Sequence, residues 1–381
     1  MKVEQLLWTK KRGWEVIEDR GLKGQAHLLL AFGDRQLLEG MGKLLELRHL
    51  YSDADIILCS TSGEIMDIEV HDDSVSAIAI LFEKSYHKVA RLKIEGYDNS
   101  YLVGRDLIAQ LPKNDLKHVY LLVDGLNING NEFSRGVFEN LPSEVGISGA
   151  LAGDGLDLVR TLIGYNRLPE THVCLAIGFY GKHLKVGKGA AGSWEELRQE
   201  YVITRSDYHK LYELDNKPAA KIYQEKLGEA FRRFNSSPFS FPLEVWVDDG
   251  KTESFVRMVR TVDALQEALL MAGDTPQGFT VRILQTNVDL MLKGAKRACE
   301  KAIYQLNGAA ADLALVSNCV GRRAILKNRT EEELDIARNT IGSRAIICGF
   351  YGYGAITSWQ LRRRPFLQHQ AFTIVLLSEE S

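Results

Sequence analysis

A glycine run supplies the first chemical lead in this sequence. Gly187-Lys188-Gly189-Ala190-Ala191-Gly192 fits G-x-G-x-x-G, a spacing that lets a backbone approach a pyrophosphate at a helix N-terminus. The run follows a strand-like stretch at 183–186 and precedes a helix-like one at 193–201, with Asp207 beyond it. An NAD(P)-dependent oxidoreductase using Gly187, Gly189 and Gly192 is the enzymatic reading. Against it, no βαβαβ series follows, and residues 202–215 read as one hairpin or long strand. The expectation is a tight glycine turn between two packed strands.

Other catalytic chemistry is harder to place. No G-x-S-x-G elbow is present, and none of the nine histidines stands at H-x-x-x-H or H-E-x-x-H spacing. Asp72-Asp73 and Asp248-Asp249 read as turns. Glu331, Glu332 and Glu333 read as the acidic first turn of a helix, favoured by its dipole. Cys59, Cys174, Cys299, Cys319 and Cys348 are odd in number and hold no C-x-x-C pair, so buried reduced thiols are expected. A net charge of −3 argues against a general nucleic-acid or anionic-membrane surface. No apolar run approaches the ~20 residues of a membrane span, and the charged start lacks a signal-peptide core. A cytoplasmic protein without membrane insertion is the expectation.

The elements that must position any site come in three similar copies. The first has apolar runs at 27–32, 55–65 and 75–82 around a helical stretch at 35–50. The second has runs at 118–125, 145–155 and 172–179 around a helix at 132–141. The third has runs at 312–318, 345–356 and 371–379 around a helix at 331–341. Runs apolar at every position predict strands covered on both faces. The fold class is therefore α/β: two pseudo-symmetric halves with mixed β-sheets layered with helices, built from repeated β-α-β-β units. The divide is placed near residue 212, giving domains 1–212 and 213–381. Further helices are expected at 101–111 and 288–306. The small-residue turns that end the second run of each copy carry Glu64, Asp154, Tyr351 and Tyr353. Arg322 and Arg323 follow the first strand of copy three. Arg362, Arg363, Arg364 and His369 lie between its last two strands. If equivalent ends face one cleft, aromatics, arginines and a histidine line it, as in small-ligand pockets.

The ordered segments CSTSGEI (59–65), SGALAGDG (148–155), 193–228, CVGRRAILKNRTEEEL (319–334), GFYGYGAI (349–356) and the final HQAFTIVLLSE resemble the FIST family across its N and C parts. The resemblance implies a non-catalytic sensory module for small ligands in bacterial signal transduction. Its partner would be a histidine kinase, a diguanylate cyclase or phosphodiesterase, or a chemoreceptor. One branch, the NosP-type proteins, is similar in length and implies haem b and nitric oxide sensing. His369 would then be the axial ligand, with His209 second and His71 third. The chain departs from the family's pattern at two points: Ala355 stands where its last turn carries glutamate, and His369 falls one position late. An amino-acid-like ligand held by Arg322 or Arg323 is the alternative.

Overall fold

The structure, a computed structural model, describes residues 1–236, 238–247, 250–358 and 363–380. Asp248, Asp249 and Arg362 lie outside the described residues. The three copies have the same topology. In each, a central strand (Leu28–Gly33, Leu116–Val123 or Leu313–Cys319) runs parallel to the strand that follows it (Asp55–Ser60, Gly146–Leu151 or Ile346–Gly352). A closing strand (Ser74–Leu81, Val173–Tyr180 or Phe372–Glu379) then pairs antiparallel on the other side of the central one. A lead strand (Lys2–Thr9, Tyr86–Lys93 or Leu184–Ala191) flanks the closing strand in every unit. Two copies fall in the N-terminal half and one in the C-terminal half, so the two halves together complete a threefold repeat.

Between its parallel and closing strands each unit sends a short strand into another unit's sheet. Glu64–Met66 of unit one pairs with Ile346–Gly352 of unit three. Ala355–Thr357 of unit three pairs with Gly146–Leu151 of unit two. Ile163–Tyr165 of unit two pairs with Asp55–Ser60 of unit one. The exchange is cyclic and closes on itself.

The burial pattern explains why the strands are apolar throughout. Leu28, Leu30 and Phe32 of unit one, Tyr120 and Leu122 of unit two, and Leu313 and Leu315 of unit three share one central core. The alternate residues point outward under helices. Leu29 and Ala31 meet the Gly42–Leu50 helix. Val119 and Leu121 lie in the cluster that covers unit two, and Ala314 and Val316 in that under Val288–Leu306. Period-two alternation puts one set of side chains on each face, and both faces are dry. The 35–50 stretch splits into Arg35–Leu38 and Gly42–Leu50, the first capped by the Asp34 carboxylate. All five cysteines are buried and free.

Unit three is interrupted between its lead strand and the Val288–Leu306 helix. The intervening chain builds a second sheet, from Glu195–Asp207 to Thr280–Gln285, with its own core around Ile203, Leu211, Val245, Phe255 and Tyr223. Residue 212 lies within strand Lys210–Leu214 of this inserted sheet.

The glycine run is a correction on two counts. Gly187, Gly189 and Ala191 lie inside the lead strand Leu184–Ala191, not in a turn, and Glu195–Asp207 is a strand, not a helix. A Cβ at Gly187 would stand 2.1 Å from the Ala302 carbonyl oxygen, and one at Gly189 1.8 Å from that of Ala298. These glycines let the Val288–Leu306 helix lie directly on the strand. No helix N-terminus follows to receive a pyrophosphate. Gly189→Ala forces strand and helix apart and should destabilise the chain by about 1–3 kcal/mol, read as a lower urea midpoint. An unchanged midpoint would contradict this packing.

Candidate functional site

The three small-residue turns meet at one end of the body and are joined through their backbones. Ser62 N–H donates to the Tyr351 carbonyl (2.7 Å) and Tyr351 N–H to that of Gly63 (2.9 Å). Leu151 N–H donates to Gly354 (2.9 Å), Gly153 N–H to Ser60 (2.9 Å) and Gly155 N–H to Thr61 (3.1 Å). Every backbone group satisfied across the ring fixes one turn against another.

The sequence-predicted residues sort into three places around this ring. Glu64 is 1% exposed and accepts hydrogen bonds from the hydroxyls of Thr61 and Ser74. Burial is the main cause of a carboxyl pKa pushed up to about 8; Asp72 and Asp34 add to it, and the hydroxyls partly offset it. Arg323 covers this turn: it bonds the Ser62 carbonyl (2.9 Å) and pairs with Asp72. His71 faces Glu64 across the strand ladder, with its Nε2 3.1 Å from the Glu69 carboxylate.

Arg322 and Tyr351 are held elsewhere, by Glu333. Arg322 is fully buried; its Nε donates to Glu333 (2.9 Å), and its remaining donors reach the carbonyls of Gln370 (3.0 Å) and Met291 (2.9 Å). The Tyr351 hydroxyl (2.7 Å) and the Asn318 amide (2.9 Å) donate to the other Glu333 oxygen. Four of the five Arg322 N–H groups are used within this cluster and the side chain is fully buried, so it is not open to a ligand carboxylate. Glu333 lies in the acidic first turn of helix Thr330–Ile341, as its sequence indicates; helical spacing alone did not show that it turns inward under Arg322.

Asp154 and Tyr353 do come together, at a cavity. The Tyr353 hydroxyl bonds Asp154, whose carboxylate also accepts the N–H groups of Leu158, Val159 and Arg160, each at 2.9 Å. That set fixes the 155–160 loop. The cavity beside it has a volume of about 370 Å³. Its body side carries Leu126, Ile128, Leu151, Leu158, Val320, Tyr353 and Leu367, and its inserted-sheet side Met258, Met271 and Asp274. It opens at the carboxyl ends of the parallel strands Leu116–Val123 and Gly146–Leu151, where α/β sheets commonly bind ligands. Asp274 is committed to the buried Arg257 (2.9 Å) and to Asn131 (3.3 Å), which tie insert to body. Arg260 and His209 line the cavity from exposed positions, and neither side chain has a hydrogen-bond or ion-pair partner among the described residues. The sequence gave no signal for Arg260; only the return of its strand beside the 124–130 loop makes it a cavity residue.

His369 lies behind this wall. It is fully buried, and its Nδ1 accepts the Met258 N–H at 3.2 Å while Nε2 has no partner among the described residues. Burial, then the Arg257 charge, holds its pKa well below the ordinary value. The ring is neutral, and with Nδ1 accepting, its proton sits on Nε2. An axial histidine needs the opposite: a free Nε2 lone pair and Nδ1–H anchored on an acceptor. His209 reaches the cavity, but no group fixes its ring. These residues do not fit a haem site. Among the described residues there is also no cluster of three His, Cys, Asp or Glu able to hold a metal ion.

The class of protein is thus a mixed α/β body with an open, largely apolar cavity at its strand ends. The chain matches the FIST N domain over residues 27–217 and the FIST C domain over residues 219–358. It belongs to the FIST family, whose domains are associated with sensing small ligands in signal transduction and are generally not catalytic. No curated protein matches the chain. Among solved structures it is similar to a cyanuic acid hydrolase from A. caulinodans, with 9% identity over 78% of this chain and 100% of that one; the TM-score of 0.19 carries no argument.

Two outcomes follow from this geometry. Because the Glu64 pKa is raised above its ordinary 4.5, the folded chain retains a proton that the unfolded chain has released. Stability should therefore fall as pH rises from about 4.5 through about 8. Glu64→Gln should flatten that stretch of the urea-midpoint profile, and a variant with the native slope would contradict it. Haem supplied during expression should give no absorption that depends on His369. A Soret band lost in a folded His369→Ala variant would overturn the assignment of the proton to Nε2.

Proposed function

We propose that this protein is a sensor whose ligand is a small, mostly apolar organic acid bound between the body and the inserted sheet. One observation supports it above the rest: Arg260, a cation with no partner among the described residues, stands at the edge of an apolar cavity of about 370 Å³. A guanidinium in that position suits a carboxylate, and the aliphatic walls with Tyr353 suit its body. The ligand arginine in this reading is Arg260 in place of Arg322 or Arg323, with His209 beside it.

The reading is of a binding module, not an enzyme. A nicotinamide cofactor is disfavoured because Gly187 and Gly189 are filled by helix packing. Ligand would bridge two walls that belong to different sheets, and so bias how they sit against each other. The 155–160 loop, with Leu156 and Val159 exposed, would carry that change outward to a signalling partner. A histidine kinase, a cyclic-di-GMP enzyme or a chemoreceptor is the class of partner proposed. No helix among the described residues is long and apolar enough to cross a membrane.

Calorimetric titration with paired aliphatic or aromatic carboxylates and their neutral amides tests the chemistry. Carboxylates should bind and the amides should not. Arg260→Gln should weaken the carboxylate by about tenfold or more, equal to about 1.4 kcal/mol, without moving the melting temperature of the free protein. Equal binding of acid and amide would refute the proposal.

A further inference from the structure

At the opposite end of strand Gly146–Leu151 a second cavity, of about 260 Å³, lies in the seam between units two and three. Lys188, from the lead strand of unit three, reaches it. The Lys188 ammonium donates to the Ser358 hydroxyl at 2.9 Å and to the Ile147 carbonyl at 3.3 Å. Both partners are neutral, and one N–H remains without a protein acceptor. No carboxylate stands within ion-pair distance among the described residues, while burial lowers the ammonium pKa to about 8. A half-buried ammonium with only neutral partners is held at a cost that an anion would offset. Among the described residues no counter-charge stands beside it.

The surroundings add further unused donors. His118 is fully buried and lines the same cavity; its Nε2 lies 2.7 Å from the Ser148 hydroxyl, and its Nδ1 has no partner. A Cβ on Gly146 would stand 2.5 Å from that nitrogen, so only glycine fits against it. Burial, with the Lys188 charge, lowers the His118 pKa to about 3. In the tautomer whose Nε2 accepts the Ser148 hydroxyl, the neutral ring carries its proton on Nδ1. At the exposed rim stand Lys117 and Arg363, neither with an ion-pair partner among the described residues, and one carboxylate, Glu144. Three cations against one carboxylate leave a surplus of two positive charges. Phe138 and Val145 give the cavity an apolar wall.

We propose that this cavity is a second binding site, for a small molecule with a dianionic phosphoryl group, in which Lys188 is the half-buried counter-charge and Lys117 and Arg363 guard the entrance. The charge surplus selects a dianion over a monocarboxylate, and the compact donor set suits a phosphoryl head. The apolar wall leaves room for a short organic body. This site is distinct from the one at the other end of the strand and does not depend on that reading.

Thermal unfolding of the full chain in inorganic phosphate, phenyl phosphate or acetate, each against sodium chloride at matched ionic strength, tests it. Both phosphoryl probes should raise the melting temperature, while acetate should behave as chloride. Phenyl phosphate acting at lower concentration than inorganic phosphate shows that the source is an ester; equal action shows that the phosphoryl group alone is read. Lys188→Met should weaken the phosphoryl response by about tenfold or more, and the free variant should melt no lower than the native chain, because a half-buried charge with only neutral partners has gone. If Lys188→Met fails to fold, the exposed pair Lys117→Gln and Arg363→Gln together should shift the phosphate response to higher concentration. No phosphoryl stabilisation beyond chloride, an equal effect of acetate, or a native response in the folded variants would overturn the proposal.

Discussion

Each of the three main sheets takes its strand beside the parallel pair from another unit, and that exchange governs the rest of the molecule. The parallel strands Asp55–Ser60, Gly146–Leu151 and Ile346–Gly352 would present open edges without Ile163–Tyr165, Ala355–Thr357 and Glu64–Met66. An open edge leaves backbone groups unpaired and invites misassociation. Because the loans run in a circle, no unit completes its sheet alone. The inward faces reinforce this. Phe32, Leu122 and Leu315 come from three sheets and pack in one core.

The same exchange determines where a site can form. Chain leaving a parallel strand must turn and cross to the next sheet, so three turns converge and bond to one another. Two of the convergences are filled by the chain itself: Glu64 with its hydroxyls under Arg323, and Glu333 with Arg322 and Tyr351. The third is not filled. There the inserted sheet stands off from the body, tethered through Arg257, Asp274 and Asn131, and the space between remains open. Asp154 and Tyr353 then hold the 155–160 loop at its edge instead of closing it.

Much of this architecture was legible in the sequence because two-sided burial writes a simple pattern. Runs such as Leu28–Gly33 and Leu313–Cys319 are apolar at every position, and helix Val288–Leu306 occupies the span its periodicity indicates. The cyclic loan of strands was not legible, since Glu64–Met66 and Ala355–Thr357 are three-residue pieces whose partners lie in other units. The G-x-G-x-x-G spacing reported a real need for missing side chains at Gly187 and Gly189. It did not report what approaches them, which is a helix backbone instead of a phosphate. Of the site, Asp154 and Tyr353 were readable from their turns. Arg260 and Met271 were not, because they reach the cavity through the long-range pairing of the inserted sheet.

The dependence of all three sheets on one exchanged core is best tested by native-state hydrogen exchange resolved to individual strands. The slowest amides of Leu28–Gly33, Leu116–Val123 and Leu313–Cys319 should exchange with the same opening free energy, equal to that of global unfolding, and respond alike to added denaturant. If the strands of one unit open at a clearly lower free energy while the other two stay protected, the units are separable. Their borrowed strands would then be ornaments on three independent sheets, and the account of a single interlocked body would fail.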